Sequence, residues 1–162
     1  MTQYTLEDFK YQLGYDGHLV DTQKALDILK EIGTDATNEI GETPLIIAAS
    51  LGQSEVLKTL IPGYVNIDHT NNFGDSALLV ACNQRRLGCI KLLIEAGAAI
   101  EQKDRFGNAP LAKIFTNTFS DPLPSATYLI QQGAKLTERV MHMGTTWDKE
   151  RFEAFIKDLP ST

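Results

Sequence analysis

Short apolar runs alternate with polar turns at a fixed interval along this chain. Gly-Glu-Thr-Pro-Leu-Ile-Ile-Ala-Ala (41–49) is followed 33 residues later by Gly-Asp-Ser-Ala-Leu-Leu-Val-Ala-Cys (74–82), and after 33 more by Gly-Asn-Ala-Pro-Leu-Ala-Lys-Ile-Phe (107–115). A period of that size marks stacked supersecondary units. Thr43-Pro44 starts a helix, because proline in the first turn forfeits only a donor that has no partner there, and its fixed backbone angle suits the helix. Leu45, Ala48 and Ala49 form a narrow apolar stripe at helical spacing. Its small alanines let a neighbouring helix approach closely, while Val56, Leu57, Leu60 and Ile61 on a second helix supply bulk. Such a pair cannot bury its apolar faces alone, so stability comes from stacking on the next pair.

The ends of such a stack must act as caps, or an apolar face would be left in water. Thr5-Leu-Glu-Asp8 reads as a helix start with an acidic group in the first turn, and Phe9 and Leu13 share a face. Asp21 opens a second helix carrying Ala25, Ile28, Leu29 and Ile32, closed near Gly33. At the other end, Val140 to Met143 predicts a short turn of helix. Beyond Trp147, which anchors its start, a further helix places Phe152, Phe155, Ile156 and Leu159 near one face.

The repeated motif resembles the ankyrin-repeat pattern Asp-x-x-Gly-x-Thr-Pro-Leu-His-x-Ala-Ala, with a second apolar helix ending in Gly-Ala-Asp. The second repeat shows that tail as Ile90-Lys-Leu-Leu-Ile-Glu-Ala-Gly97-Ala98, and the third as Tyr128-Leu-Ile-Gln-Gln-Gly133-Ala134. The likeness runs from about Thr37 to Leu136. It implies an all-α ankyrin-repeat solenoid, a single domain with short β-hairpin loops between repeats. Its three full repeats (37–69, 70–102, 103–136) would be flanked by helical N- and C-terminal caps (1–36 and 137–162).

Departures from the pattern are also informative. The family histidine is replaced by Ile46, Leu79 and Ala112, so the hydrogen bonds it makes to the turn are absent from all three repeats. Arg85 stands where Gly52 supplies the helix-turn glycine one repeat earlier, and Tyr64 stands where Gly97 closes a second helix. A left-handed cap costs a non-glycine residue roughly 1 kcal/mol or more, so the first repeat is expected to end differently, at Pro62-Gly63. Gly107 to Gly133 spans 26 residues against 23 from Gly74 to Gly97; the three extra residues are expected around Ser120 to Pro124, lengthening the loop between two helices.

Composition is that of a globular domain, 43% hydrophobic and 22% charged. Charge, however, is unevenly placed. Residues 1–40 hold eight acidic and three basic side chains, while residues 41–139 hold nine of each, so nearly all of the net charge of −6 lies at the N-terminal end. Asp8, Asp16, Asp21, Asp27, Glu31, Asp35 and Glu39 either steer a basic protein towards that end or form a solvated face that keeps the cap soluble. Nucleic acid and anionic membranes are poor partners for either arrangement, since phosphate binding needs clustered lysine and arginine and Arg85-Arg86 with Lys91 is too small a patch.

Chemistry finds little footing. Cys82 aligns with Ala49 and Cys89 with Val56, positions expected to be packed, so both read as small buried hydrophobes and not as a metal or redox pair. His18, His69 and His142 show no ligand spacing, no nucleophile sits in a recognisable elbow, and no glycine-rich phosphate loop occurs. No cofactor, metal or catalytic residue is expected. Free thiols, an N-terminus without the basic and long apolar regions of a targeting segment, and the lack of a membrane-length apolar run predict a cytoplasmic protein, monomeric when free.

The resemblance implies a non-catalytic protein-binding module. Aligned on the family, the hairpin tips are Glu39-Ile40, Asn72-Phe73 and Arg105-Phe106, and the exposed ends of the first helices are Ser50-Leu51, Asn83-Gln84 and Thr116-Asn117; together they would line a concave partner-binding surface. Ile40, Phe73 and Phe106 recur at the 33-residue spacing, each just before a turn glycine. They form either a solvent-facing ladder useful to cover or a row folded down on its own hairpins. The partner is expected to be another protein, on the charge argument a basic one, and the role that of an inhibitor or immunity protein. The alternatives are an adaptor using Arg85 and Arg86 on a second face, or a host-directed effector.

Overall fold

The computed structural model describes residues 4–15, 20–63, 66–117 and 120–159; Asp16, His18 and Tyr64 lie outside them. The described helices pair in order: α1 (Leu6–Gln12) with α2 (Thr22–Ile32), α3 (Pro44–Leu51) with α4 (Ser54–Leu60), α5 (Ala77–Asn83) with α6 (Leu87–Glu95), and α7 (Pro110–Ile114) with α8 (Leu123–Gln131). The chain then forms α9 (Glu138–Asp158). Packing runs along two layers. One stacks α1, α3, α5, α7 and α9 in succession, and the other stacks α2, α4, α6 and α8.

Local chemistry places each start. Thr5 and Asp8 form a reciprocal capping box, Asp21 accepts from the Lys24 amide, and Thr43, Ser76 and Thr137 accept from Ile46, Leu79 and Val140. The narrow stripe expected on α3 is instead a helix buried on every side, Pro44 through Ala49 all being inaccessible. The reason is its position: α1 and α5 flank it and α4 backs it, so no face is left for water. Ile46, Leu79 and Ala112, at the family's histidine position, are likewise buried.

α4 gives way to a single 3-10 turn, Ile61–Gly63, as the missing glycine at the end of the first repeat implies. The extra residues of the third repeat fall in the connection between Ile114 and Leu123. Arg85 takes the left-handed conformation itself, with φ 52°, the only described non-glycine residue with positive φ. At the C-terminus the expected short turn is a full helical arm, Glu138 to Trp147. Asp148 (φ −161°, ψ 101°) breaks the helix, and a second arm follows. The break folds Phe152 back, so that its ring meets Phe115 edge-on at 5.2 Å and closes over Gly144, while Trp147 reaches Phe115 at 6.0 Å. The two arms thus cover the last repeat.

The loops between repeats are turns closed by side chains. Asn38, Asn71 and Asp104, each three residues before its glycine, accept amides from Ile40 and Glu42, from Phe73 and Asp75, and from Phe106 and Asn108 through one carbonyl or carboxylate oxygen. Only one β-bridge, Thr70 with Ser76, occurs among the described residues, so the expected hairpins are little more than these turns. Adjacent tips are joined by backbone: Asn72 N–H donates to Ile40 C=O at 2.8 Å, and Arg105 N–H to Phe73 C=O at 3.3 Å.

An ionic chain ties the second repeat to the third and to the C-terminal helix. Lys113 Nζ lies 2.7 Å from Asp75 and 2.7 Å from Asp104, whose carboxylate is fully buried. Asn108 donates to Asp104 at 3.0 Å and accepts from Arg139 Nε at 2.6 Å. Burial alone would raise the Asp104 carboxyl, but hydrogen bonds from Lys113 and from the Asn108 amide and side chain outweigh it and hold it below the ordinary value. Burial likewise opposes the Lys113 charge, and the two carboxylates more than restore it, leaving the amine above its usual value.

Two predictions follow from these contacts. A Cβ at Gly74 (φ 78°) would approach the Arg105 amide nitrogen to 2.9 Å, whereas one at Gly107 (φ 80°) would meet nothing within 4 Å. Gly107→Ala should therefore cost about 1–2 kcal/mol for the left-handed backbone alone, and Gly74→Ala about 1–3 kcal/mol more for the forced contact, as read from urea unfolding. Lys113→Met should lose about 3–5 kcal/mol at pH 7 by stranding the buried Asp104 carboxylate and unpairing the half-buried one of Asp75. In the parent, the lowered Asp104 contributes stability above its unfolded value, near about 3.9, and loses it as pH falls through its lower folded value. Lys113→Met removes the strongest group holding that carboxyl down while the Asn108 bonds remain, so it titrates higher than in the parent, and unfolding at pH 7 and pH 4 should show the gap between the two proteins narrowing in acid.

Candidate protein-binding surface

The three tips emerge side by side with their apolar groups in water. Ile40 is 40% exposed, Phe73 52% and Phe106 70%, against a core in which Leu, Ile and Phe side chains are almost wholly inaccessible. Of the two arrangements open to them, these side chains adopt the solvent-facing one. The reason lies in the backbone: each tip is pinned by its Asx turn and by the bond to its neighbour. Glu39, Asn72 and Arg105 stand exposed beside them, and Asn72 also donates to Glu39 C=O at 3.1 Å.

Lower on the same flank, the ends of the first helices form an uncharged polar strip. Asn83 donates to Thr116 Oγ1 at 2.8 Å across neighbouring repeats, and Gln84, which is exposed, donates to Asn83. Thr116 is exposed, while Ser50 and Asn117 are half-buried. Leu51 differs from its expected role, since it packs against the core and offers only part of its surface. Asn38, Asn71, Asp104 and Lys113, which set this geometry, were not singled out from sequence as site residues. The first three recur three positions before each glycine, a signal the 33-residue period carries.

Arg85 does not serve as an exposed second face. It is only 9% exposed, and its Nε donates to Ile114 C=O at 3.0 Å, where the end of α7 offers a free carbonyl and the negative end of its dipole. Burial lowers its guanidinium, and Asp121 partly offsets this. Arg86 alone of the pair reaches solvent. Both cysteines are buried thiols: burial pushes each up, and Cys89 Sγ lies 3.6 Å from Ser54 Oγ. His69 bonds the Gly41 carbonyl at 3.1 Å and His142 is exposed on α9. Among the described residues no group of three or more His, Cys, Asp or Glu side chains is placed to hold a metal, and no helix is long and apolar enough to cross a membrane.

Comparison with known proteins agrees with this architecture. A family model described as ankyrin repeats in three copies matches residues 14–104 and 45–140. No curated protein matches the chain significantly. Ankyrin repeats are generally protein–protein interaction modules and typically non-catalytic. With stacked helix pairs, a 33-residue period and a matching family model spanning most of its length, the chain belongs to the ankyrin-repeat family.

Proposed function

We propose that this chain acts without catalysis, by holding another protein against the flank that carries its tips. Ile40, Asn72, Phe73, Arg105 and Phe106 supply the upper contacts, and Ser50, Leu51, Asn83, Gln84, Thr116 and Asn117 the lower ones. The observation that carries this reading is the exposure, in register, of three large apolar groups on a backbone that cannot let them fold inward. Such groups are costly to leave wet and act as anchors when covered. The surface is preformed, which limits the ordering cost of association.

The role that fits best is that of an inhibitor or immunity protein occupying the surface of a cognate toxin or enzyme. The acidic N-terminal end supports a basic target, since residues 1–40 carry a charge of −5 beside the first tip. Asp8, Asp21, Asp27, Glu31, Asp35 and Glu39 are all exposed at that end, and of these Asp27 pairs with Lys30 at 2.8 Å. The adaptor reading loses much of its second face with the burial of Arg85.

Phe73→Ser combined with Phe106→Ser should weaken binding of a captured partner by several kcal/mol, on the order of 100-fold or more in Kd. Its urea midpoint should stay close to the parent's. Titration calorimetry and unfolding together decide the matter: unchanged affinity with lost stability would return both rings to a structural role.

A further inference from the structure

The helical layers extend beyond the tips at both ends, because the α1–α2 pair and α9 carry no tip of their own. The series of tip-to-tip bonds therefore stops with an unused acceptor. Ile40 C=O receives Asn72 N–H and Phe73 C=O receives Arg105 N–H, whereas the equivalent Phe106 C=O has no donor among the described residues. Gly107 faces open space where Gly41 and Gly74 face the next tip, and Phe106 is the most exposed of the three apolar groups. Beside it lies a recess of about 450 Å³ whose lining includes Lys103, Lys135 and Arg139 together with Glu101 and Glu138.

Charge favours one occupant. Lys103, Lys135 and Arg139 line the recess with Arg105 exposed on the same tip, four cations against the two carboxylates Glu101 and Glu138, and Glu101 already accepts the Lys135 amide at 2.9 Å. Within the stack, the residues that donate to a tip carbonyl are Asn72 and Arg105, each just before its own apolar group, so a further donor in the series would follow Arg105 as Arg105 follows Asn72. We propose that this position receives a turn of the partner protein that carries an Asp or Glu. Its main-chain N–H donates to Phe106 C=O and its carboxylate meets Arg105. A second copy of this chain stacked in register is sterically unsuitable, since its own α1–α2 pair would have to share the layer of α7 and α8.

This inference rests on the proposed binding role but is tested apart from it. The probe is a head-to-tail cyclic peptide spanning residues 36–44, a tip with an acidic donor residue, Glu39, followed by an apolar one, Ile40. Titrated into the ¹⁵N-labelled full chain, it should give saturable amide shifts at Phe106, Gly107 and Arg139. The Glu39→Lys peptide, or the Arg105→Glu protein, should bind at least about tenfold more weakly, and combining the two should recover binding. Phe73→Ser should leave the response intact, which separates failure here from failure of the ladder as a partner surface. No saturable shifts, equal response to both peptides, the same shifts from inorganic phosphate alone, or the same shifts on concentrating the protein alone would each overturn the proposal.

Discussion

Burial between neighbouring pairs is the constraint on which this protein depends. From Pro44 to Ala49, α3 has no face towards water, and it reaches that state only because α1 and α5 stand on either side. No single pair could supply such an environment, so each layer is stable only in the presence of the next. The ends solve the same problem with different means: a capping-box helix carrying Phe9 and Leu13 at one end, and a broken helix that folds Phe152 over Gly144 at the other.

Polar contacts follow the same nearest-neighbour rule. Asp68 accepts the Ala99 amide at 2.9 Å, and Glu101, 33 residues later, accepts that of Lys135. The ion chain from Asp75 through Lys113 and Asp104 to Asn108 and Arg139 crosses two boundaries. These contacts add register to a core that hydrophobic burial alone would leave free to slide. Fixed register is what brings Ile40, Phe73 and Phe106 into one line.

Periodicity alone determined the number of repeats, the burial of both cysteines and the position of the apolar ladder, and residue type placed the helix start at Thr43. Several features required the fold. The exposure of the ladder depends on tip-to-tip backbone bonds between residues about 33 apart. The loss of Arg85 to the end of α7 depends on where the third repeat lies, and the buried Lys113 is explained only by two carboxylates brought from different turns. A linear pattern records which side chains prefer burial; which polar group finds its partner, and which apolar group is left without one, is fixed only when neighbouring units meet.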